Sequence, residues 1–256
     1  MNTPTAWTPT PITRSVDHKY TYQGQTYPGV TSILKVIDKS DALMSWAARN
    51  TAEAAVGLHN TADGPGNAFE MLLAHVGEEG TIKALTSRSS WKRDEAAQLG
   101  TEVHNLADMV VNAQPTPAMP EAVRTRVLAY ADWWKASGWT LRSSEAMVVH
   151  PGAGYGGTLD ILARDRDGKT VLADIKTGRG VYREAVLQLT AYGLAPLIQT
   201  KGVVYAMPKI DRYAILHVTT DGVREIEVPV GKLEEVAFYA CCDLYLWAET
   251  TKGKRL

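Results

Sequence analysis

The stretch Gly157–Gly178, GTLDILARDRDGKTVLADIKTG, decides how this chain folds. Two runs rich in apolar residues flank Arg166-Asp167-Gly168, a turn signal of the kind that joins antiparallel strands. A hairpin folded about Asp167 sets Asp160 opposite Asp174, with Cβ atoms about 5 Å apart. Side chains alternate along a strand, so Lys176 shares the face of Asp174. Leu159, Ile161, Val171 and Ile175 then point the other way, into a core. Three ionisable groups converge on one patch where apolar residues would be the plainer choice.

Two carboxylates that close repel each other. One reading of the patch is a solvated strand face, where Asp and Lys are commonplace. The other is a divalent-cation site, since a bound cation removes the repulsion, acidifies water and stabilises charge on a phosphoryl oxygen. Lys176, a compact positive charge two residues from a ligand, then holds water or neutralises a phosphate.

Working outward, the period changes along the chain. Upstream of the hairpin, Leu141–His150 alternates as a strand. Before it lie helical patterns: 40–58, capped by Ser40 or Asp41, then about 69–77, 79–86 and Asp94–Asn112, with a loop over 60–68. Pro115, Pro117 and Pro120 end that series. A helix follows from Glu121 to Ser137, with Val123, Val127, Tyr130 and Trp134 on one stripe. Near the N-terminus, HKYTYQGQTYPGV (18–30) fits a small hairpin carrying Tyr20, Tyr22 and Tyr27, with its turn at Gln23–Gln25. TSILKVID (31–38) follows, with Thr31 or Ser32 as N-cap. Downstream, Tyr182 to about Ala195 is helical, KGVVYAMP (201–208) and YAILHVTT (213–220) are strands, and a helix covers about Gly231–Glu249.

This order predicts an α/β (α+β) fold: a mixed central β-sheet flanked by helices, with a helical N-terminal part. The expected divisions are a loose arm over 1–16, a hairpin and helical region over 17–90, a core over 91–250 and a basic tail over 251–256.

Composition narrows the function classes. The chain has 256 residues, 45% hydrophobic and 21% charged, enough for a substantial core. The formal net charge is −1, so a nucleic-acid surface would have to be local. The two cysteines, Cys241 and Cys242, are adjacent and cannot build a disulfide framework, a zinc knuckle or an iron–sulfur ligand set. They fit a helix in a reducing setting. No apolar run reaches transmembrane length, so the expectation is a cytoplasmic protein with no membrane partner. Seven Trp and eleven Tyr could serve a core or stack on bases.

GTLD (157–160), DIKTG (174–178) and QLTAY (188–192), with GTEVH (100–104) upstream, occur in an order that resembles the PD-(D/E)XK nuclease superfamily, its RecB-like exonuclease branch most of all. YPGVTSIL (27–34) looks like phage-encoded members. The resemblance covers about residues 18–40 and 91–195. It implies a restriction-endonuclease-like core and a metal-dependent DNA exonuclease. The implied metal ligands are Asp160, Asp174, the backbone carbonyl of Ile175, His104 and an additional acidic residue, Glu145. Lys176 is the implied catalytic lysine, with Gln188 and Tyr192, one helical turn apart, beside it.

Each has an ordinary alternative: a satisfied helix histidine at 104, an exposed strand Glu at 145, a core Tyr192 with bonded Gln188. Gly100, one turn before His104, leaves room for close approach. Magnesium or manganese is the implied cofactor, an imidazole ligand tolerating manganese well. The cluster-bearing relatives' four cysteines are missing, so no iron–sulfur cluster is expected.

DNA is the implied substrate, with phage recombination or replication proteins as partners and any motor on a separate chain. Arg179 and Arg183, close after Lys176, are candidate phosphate contacts, as are Lys92 and Arg93 in the basic run with Lys83 and Arg88. Trp91, within that run, suits a core place better than an end base. Competing functions are a structure- or site-specific endonuclease on the same core, and a non-catalytic nucleic-acid-binding or assembly protein.

Overall fold

The computed structural model describes residues 10–37, 40–60 and 67–253. The fold is mixed α/β: helices around a seven-stranded mixed sheet, plus a three-stranded antiparallel sheet. The chain forms two compact units, Met1–Ile37 with Gly100–Leu256, and Asp38–Leu99. The expected boundary at 90/91 is therefore corrected: the N-terminal hairpin belongs with the core, because its tyrosines are buried there.

In the first unit, β1 (Thr13–Arg14), β2 (Tyr20–Tyr22) and β3 (Gln25–Tyr27) make the small sheet. Tyr20, Tyr22 and Tyr27 are buried with Ile12 and Val149. Residues 10–16 are thus no loose arm; the rest of that expectation, 1–9, lies outside the described residues. Ile12 is held by a side chain in place of a strand: its N–H donates to Gln199 Oε1 at 2.5 Å, and Gln199 Nε2 donates to its carbonyl at 2.9 Å. Helix α1 (Val30–Ile33) is capped by Gly29, which makes no side-chain cap, rather than by Thr31 or Ser32.

The second unit contains α2 (Ser40–His59) and the larger part of α3 (Asn67–Val111), which is kinked at Gly77. The N-cap of α2 adjoins residues 38–39, outside the described residues, as does most of the 60–68 loop. The expected break between 79–86 and 94–112 is absent. Thr86, Ser87, Ser89 and Ser90 donate their hydroxyls to carbonyls three or four residues back, so the helix itself absorbs these polar residues.

Helix α4 (Glu121–Ser137) runs as its stripe predicts, burying Val123, Val127 and Tyr130. Its end joins Tyr130, Trp133, Trp134 and Trp139 in one aromatic cluster with ring centroids 5.1–6.3 Å apart, in which Trp139 is buried and Trp133 and Trp134 are half-buried. The large sheet comprises β4 (Thr140–His150), β5 (Tyr155–Arg164), β6 (Thr170–Lys176), β7 (Leu197–Thr200), β8 (Val203–Ala206), β9 (Arg212–Thr219) and β10 (Gly222–Val228). Its order is β10-β9-β6-β5-β4-β7-β8. β6 and β9 run parallel; every other neighbouring pair is antiparallel.

β7 and β10 were not foreseen. β7 is four residues long, and in β10 only Val228 is buried, which leaves it a weak apolar signature. Helix α5 (Arg183–Leu194) lies on β5 and β6 and against α6 (Lys232–Thr251). The core between them gathers Tyr155, Leu159, Leu172, Leu189 and Phe238. Cys241 and Cys242 sit side by side on α6. Of the basic tail, 254–256 lie outside the described residues. No helix among the described residues is long and apolar enough to cross a membrane.

The β5–β6 turn is tied down from below. Asp165 accepts the N–H groups of Asp167 and Lys169 at 3.0 and 2.9 Å, and Arg212 Nε of β9 at 2.9 Å. Arg212 also reaches Glu225 of β10 at 2.7 Å and lies over the Trp139 ring.

Candidate metal centre

The hairpin register matches the expectation as far as the ladder runs: Arg164 pairs Thr170, and Ile161 pairs Ala173. There β5 and β6 part. β6 continues beside β9 to Lys176, while β5 continues beside β4. Asp160 stands at the fork. Its Oδ2 accepts the Ile175 N–H at 2.7 Å, so a carboxylate takes over a donor at the point where the neighbouring strand departs.

Two further donors surround Asp160. His104 comes from the end of α3, where Val103 and Ala107 are fully buried and fix the face on which it lies. His104 Nδ1 is 3.4 Å from Asp160 Oδ2. A Cβ on Gly100 would lie 3.3 Å from Thr177 Oγ1, so the helix does approach the site closely there. Glu145 comes from β4, between the pairs Ser144–Ile161 and Ala146–Leu159. Its φ is +46°, left-handed backbone that costs a non-glycine residue of order 1–3 kcal/mol. One ligand atom each from His104, Glu145 and Asp160 lies within 4.8 Å of the others.

The electrostatics follow from this crowding. Burial of its carboxyl end, with the Asp160 charge adding, pushes Glu145 up to about 7, although the residue as a whole remains exposed. Burial likewise raises Asp174 above the ordinary carboxylate range, with Lys176 pulling it back. Burial works against the Lys176 charge, but Asp174 and Asp160 outweigh it and the ammonium is held.

Lys176 Nζ is 2.5 Å from Asp174 Oδ2 and donates to Gln188 Oε1 at 3.2 Å. Gln188 Nε2 in turn donates to the Tyr192 hydroxyl at 2.9 Å. Tyr192 is buried, its ring packed where a side chain at residue 157 would be: a Cβ on Gly157 would come within 2.4 Å of it. Gly156 is similarly covered by Tyr20, whose hydroxyl bonds Thr158 Oγ1 at 2.9 Å. These approaches explain the paired glycines before Asp160 and the YPG turn, where Gly156 N–H meets the Pro28 carbonyl at 3.0 Å.

The expected residues are therefore not all equivalent. Asp160, His104 and Glu145 form one group. Asp174 is not among those three, and its Oδ2 lies against Lys176 Nζ. Both Asp174 oxygens are nonetheless buried without a hydrogen-bond donor of adequate geometry among the described residues, the Lys176 contact being an ion pair only. Ile175 contributes its N–H to Asp160. Two carboxylates and an imidazole around one point, beside a carboxylate lacking donors, fit a hard or borderline divalent cation such as magnesium or manganese.

Of the basic candidates, Arg179 and Arg183 are exposed and have no partner among the described residues. Lys92 and Arg93 belong to the other unit and are already engaged. Lys92 donates to Asn50 at 2.7 Å and Glu53 at 3.3 Å, and Arg93 pairs with Asp94 at 3.1 Å. Trp91 is exposed, not core, with Arg88 over its ring.

Two residues near the site escaped the sequence reading. His217, beside Lys176 across the parallel pair, contacts the Gly178 carbonyl through Nε2 at 2.7 Å; only the β6–β9 pairing reveals it. Tyr182, 68% exposed, stands between Arg179 and Arg183, and the run RGVYR after DIKTG was its available signal.

No known family model and no curated protein matches the chain. A solved structure described as "Crystal structure of SSO0001" aligns at 16% identity with a TM-score of 0.31. The alignment covers 50% of this chain and 61% of that one, less than two thirds of its length, and a likeness at that level carries no argument about fold or function.

Proposed function

We propose that this chain is a divalent-metal-dependent deoxyribonuclease of PD-(D/E)XK type, an exonuclease of phage recombination or replication. The observation that carries the reading is the fork between β5 and β6. There Asp160 gathers His104 and Glu145 within 4.8 Å, and the end of β6 presents Lys176. His104, Glu145 and Asp160 would hold a magnesium or manganese ion, which would acidify water and offset negative charge on a phosphate.

The chain's own residues do the positioning. Asp160 spends one lone pair on Ile175 N–H, which fixes its carboxylate plane. Asp174 keeps Lys176 protonated, and Gln188 with Tyr192 fixes where the ammonium points. From there Lys176 orients water or neutralises the scissile phosphate. Arg179 and Arg183, both without partners among the described residues, are available to phosphates of the bound strand.

The test is digestion of end-labelled linear DNA by the full chain with magnesium or manganese, beside Lys176→Ala and Asp160→Ala. Both variants are expected to fold and to lose activity by about 10²–10³-fold or more. Either variant digesting at the parental rate overturns the assignment. Covalently closed circular DNA separates the modes: an exonuclease leaves it intact, an endonuclease cuts it.

A further inference from the structure

Between Lys176 and α5 lies an exposed aromatic side chain that the chemistry of the metal centre does not use. Tyr182 is the N-cap residue of α5 and is 68% exposed. It has Arg179 on one side and Arg183 on the other, both exposed and without partners among the described residues. The segment is not loosely hung. Its start is gripped by His217, which contacts the Gly178 carbonyl at 2.7 Å. Its end is fixed by the first turn of α5, where Ala185 N–H donates to the Tyr182 carbonyl at 3.0 Å.

The other strongly exposed aromatics differ. Trp91 already has a cation over its ring. Trp247 stands on α6 among exposed leucines, with no basic neighbour in sequence. Among the described residues, Tyr182 alone combines high exposure, two uncommitted guanidinium groups and proximity in the chain to Lys176.

Gln188, which binds Lys176, lies six residues along from Tyr182. At 1.5 Å per residue this is a rise of about 9 Å. Stacked bases are spaced about 3.4 Å per strand, so about 9 Å corresponds to two or three nucleotides. A tyrosine ring can stack only on a base whose face is free, and such contacts are tolerant of base identity.

Resting on the nuclease reading, we infer that Tyr182 is a stacking platform for an unpaired base two or three nucleotides from the cleaved phosphodiester. Arg179 and Arg183 hold the phosphates on either side. The site therefore selects single-stranded or frayed DNA over blunt duplex.

The experiment measures binding and cleavage separately. The full chain and its Tyr182→Ala and Tyr182→Phe variants are titrated, without divalent metal, into a single-stranded oligonucleotide carrying 2-aminopurine and into a blunt duplex of the same sequence. Stacking quenches 2-aminopurine. Expected for Tyr182→Ala is loss of the quench and about 5- to 150-fold weaker binding of the single strand, with duplex binding changed less than about twofold. Tyr182→Phe keeps both signals.

Arg179→Ala with Arg183→Ala should flatten the logarithmic salt slope on single strands by about 1.4, at about 0.7 per phosphate. A quench that survives Tyr182→Ala, or equal losses on single strand and duplex, overturns the inference. Cleavage in magnesium or manganese is scored independently. A quench that depends on Tyr182 without any cleavage removes the nuclease reading and leaves the platform; cleavage with an unaffected quench does the reverse.

Discussion

Gly157→Ala tests how the site is held together. A Cβ at residue 157 would lie 2.4 Å from Tyr192 Cε1 and 3.0 Å from Cδ1, about 1 Å inside ordinary carbon–carbon contact. The backbone of residue 157 itself tolerates alanine, since its φ is outside the left-handed range. The ring cannot swing clear: Tyr192 is 3% exposed, and Gln188 holds its hydroxyl. Overpacking of this kind costs about 1–3 kcal/mol. For a chain of this length each kcal/mol is worth about 2–4 °C, so the melting temperature should fall by about 2–12 °C.

The displaced ring also moves Gln188, and through it Lys176. Cleavage measured well below the melting transition should therefore fall further than stability explains, by about 10²-fold for a displacement near 1 Å. Gly57→Ala is the control. It lies on α2 with nothing within 4 Å of the new Cβ, and should stabilise by about 0.5–1 kcal/mol. A Gly157→Ala protein melting within about 1 °C of the parent would refute the packing of Tyr192 on residue 157.

Two further tests concern charge. Glu145 titrates at about 7 when folded against 4.5 in the ordinary state, so between those values the folded protein holds a proton the unfolded chain has lost, and stability falls as pH rises. Glu145→Gln should raise the metal-free melting temperature at pH 8, have little effect at pH 4.5, and weaken manganese binding at pH 8; a lower metal-free melting temperature at pH 8 contradicts this. At the hairpin turn, burial works against the Asp165 carboxylate, but Arg212 and two backbone N–H groups outweigh it and hold its pKa below the usual range. Its stabilisation is present above about 3.8 and lost as pH drops through the folded value. Arg212→Ala should cost about 3 kcal/mol in urea unfolding at pH 7 and less at pH 3; an unchanged gap between those pH values would sink the assignment.

How much of this was legible in the sequence varied with the physics. The Asp167-Gly168 turn dictates register locally, so Ile161 was bound to meet Ala173, and the apolar stripe of α4 was equally self-contained. Strands β7 and β10 were hidden for different reasons. The β7–β8 hairpin turns on Lys201-Gly202, both with positive φ, but β7 is only four residues long. In β10 the charged residues Arg224, Glu225 and Glu227 fall on both faces and only Val228 is buried, so no apolar alternation marks it.

Residues 87–93, left between two expected helices, are helical, and the hydroxyls of Thr86, Ser87, Ser89 and Ser90 bond to carbonyls within the helix. At the site, the three acidic or basic residues of the hairpin were visible, but their division of labour was not. That Lys176 would claim Asp174, leaving Asp160 to gather His104 and Glu145, depends on where β5 and β6 part. The left-handed backbone at Glu145 has no sequence signature, and the commitment of Lys92 to Asn50 and Glu53 is a tertiary accident of two helices meeting.

The two-pronged grip of Gln199 on Ile12 spans 187 residues of chain. At ribosomal speeds of about 5–20 residues per second, the amide that completes the first strand emerges about 10–40 s after that strand does. Val149 follows Tyr27 by 122 residues, about 6–24 s at that speed, and Val204 comes later still, so Tyr20, Tyr22 and Tyr27 stand uncovered on the nascent chain for most of that interval and need shelter.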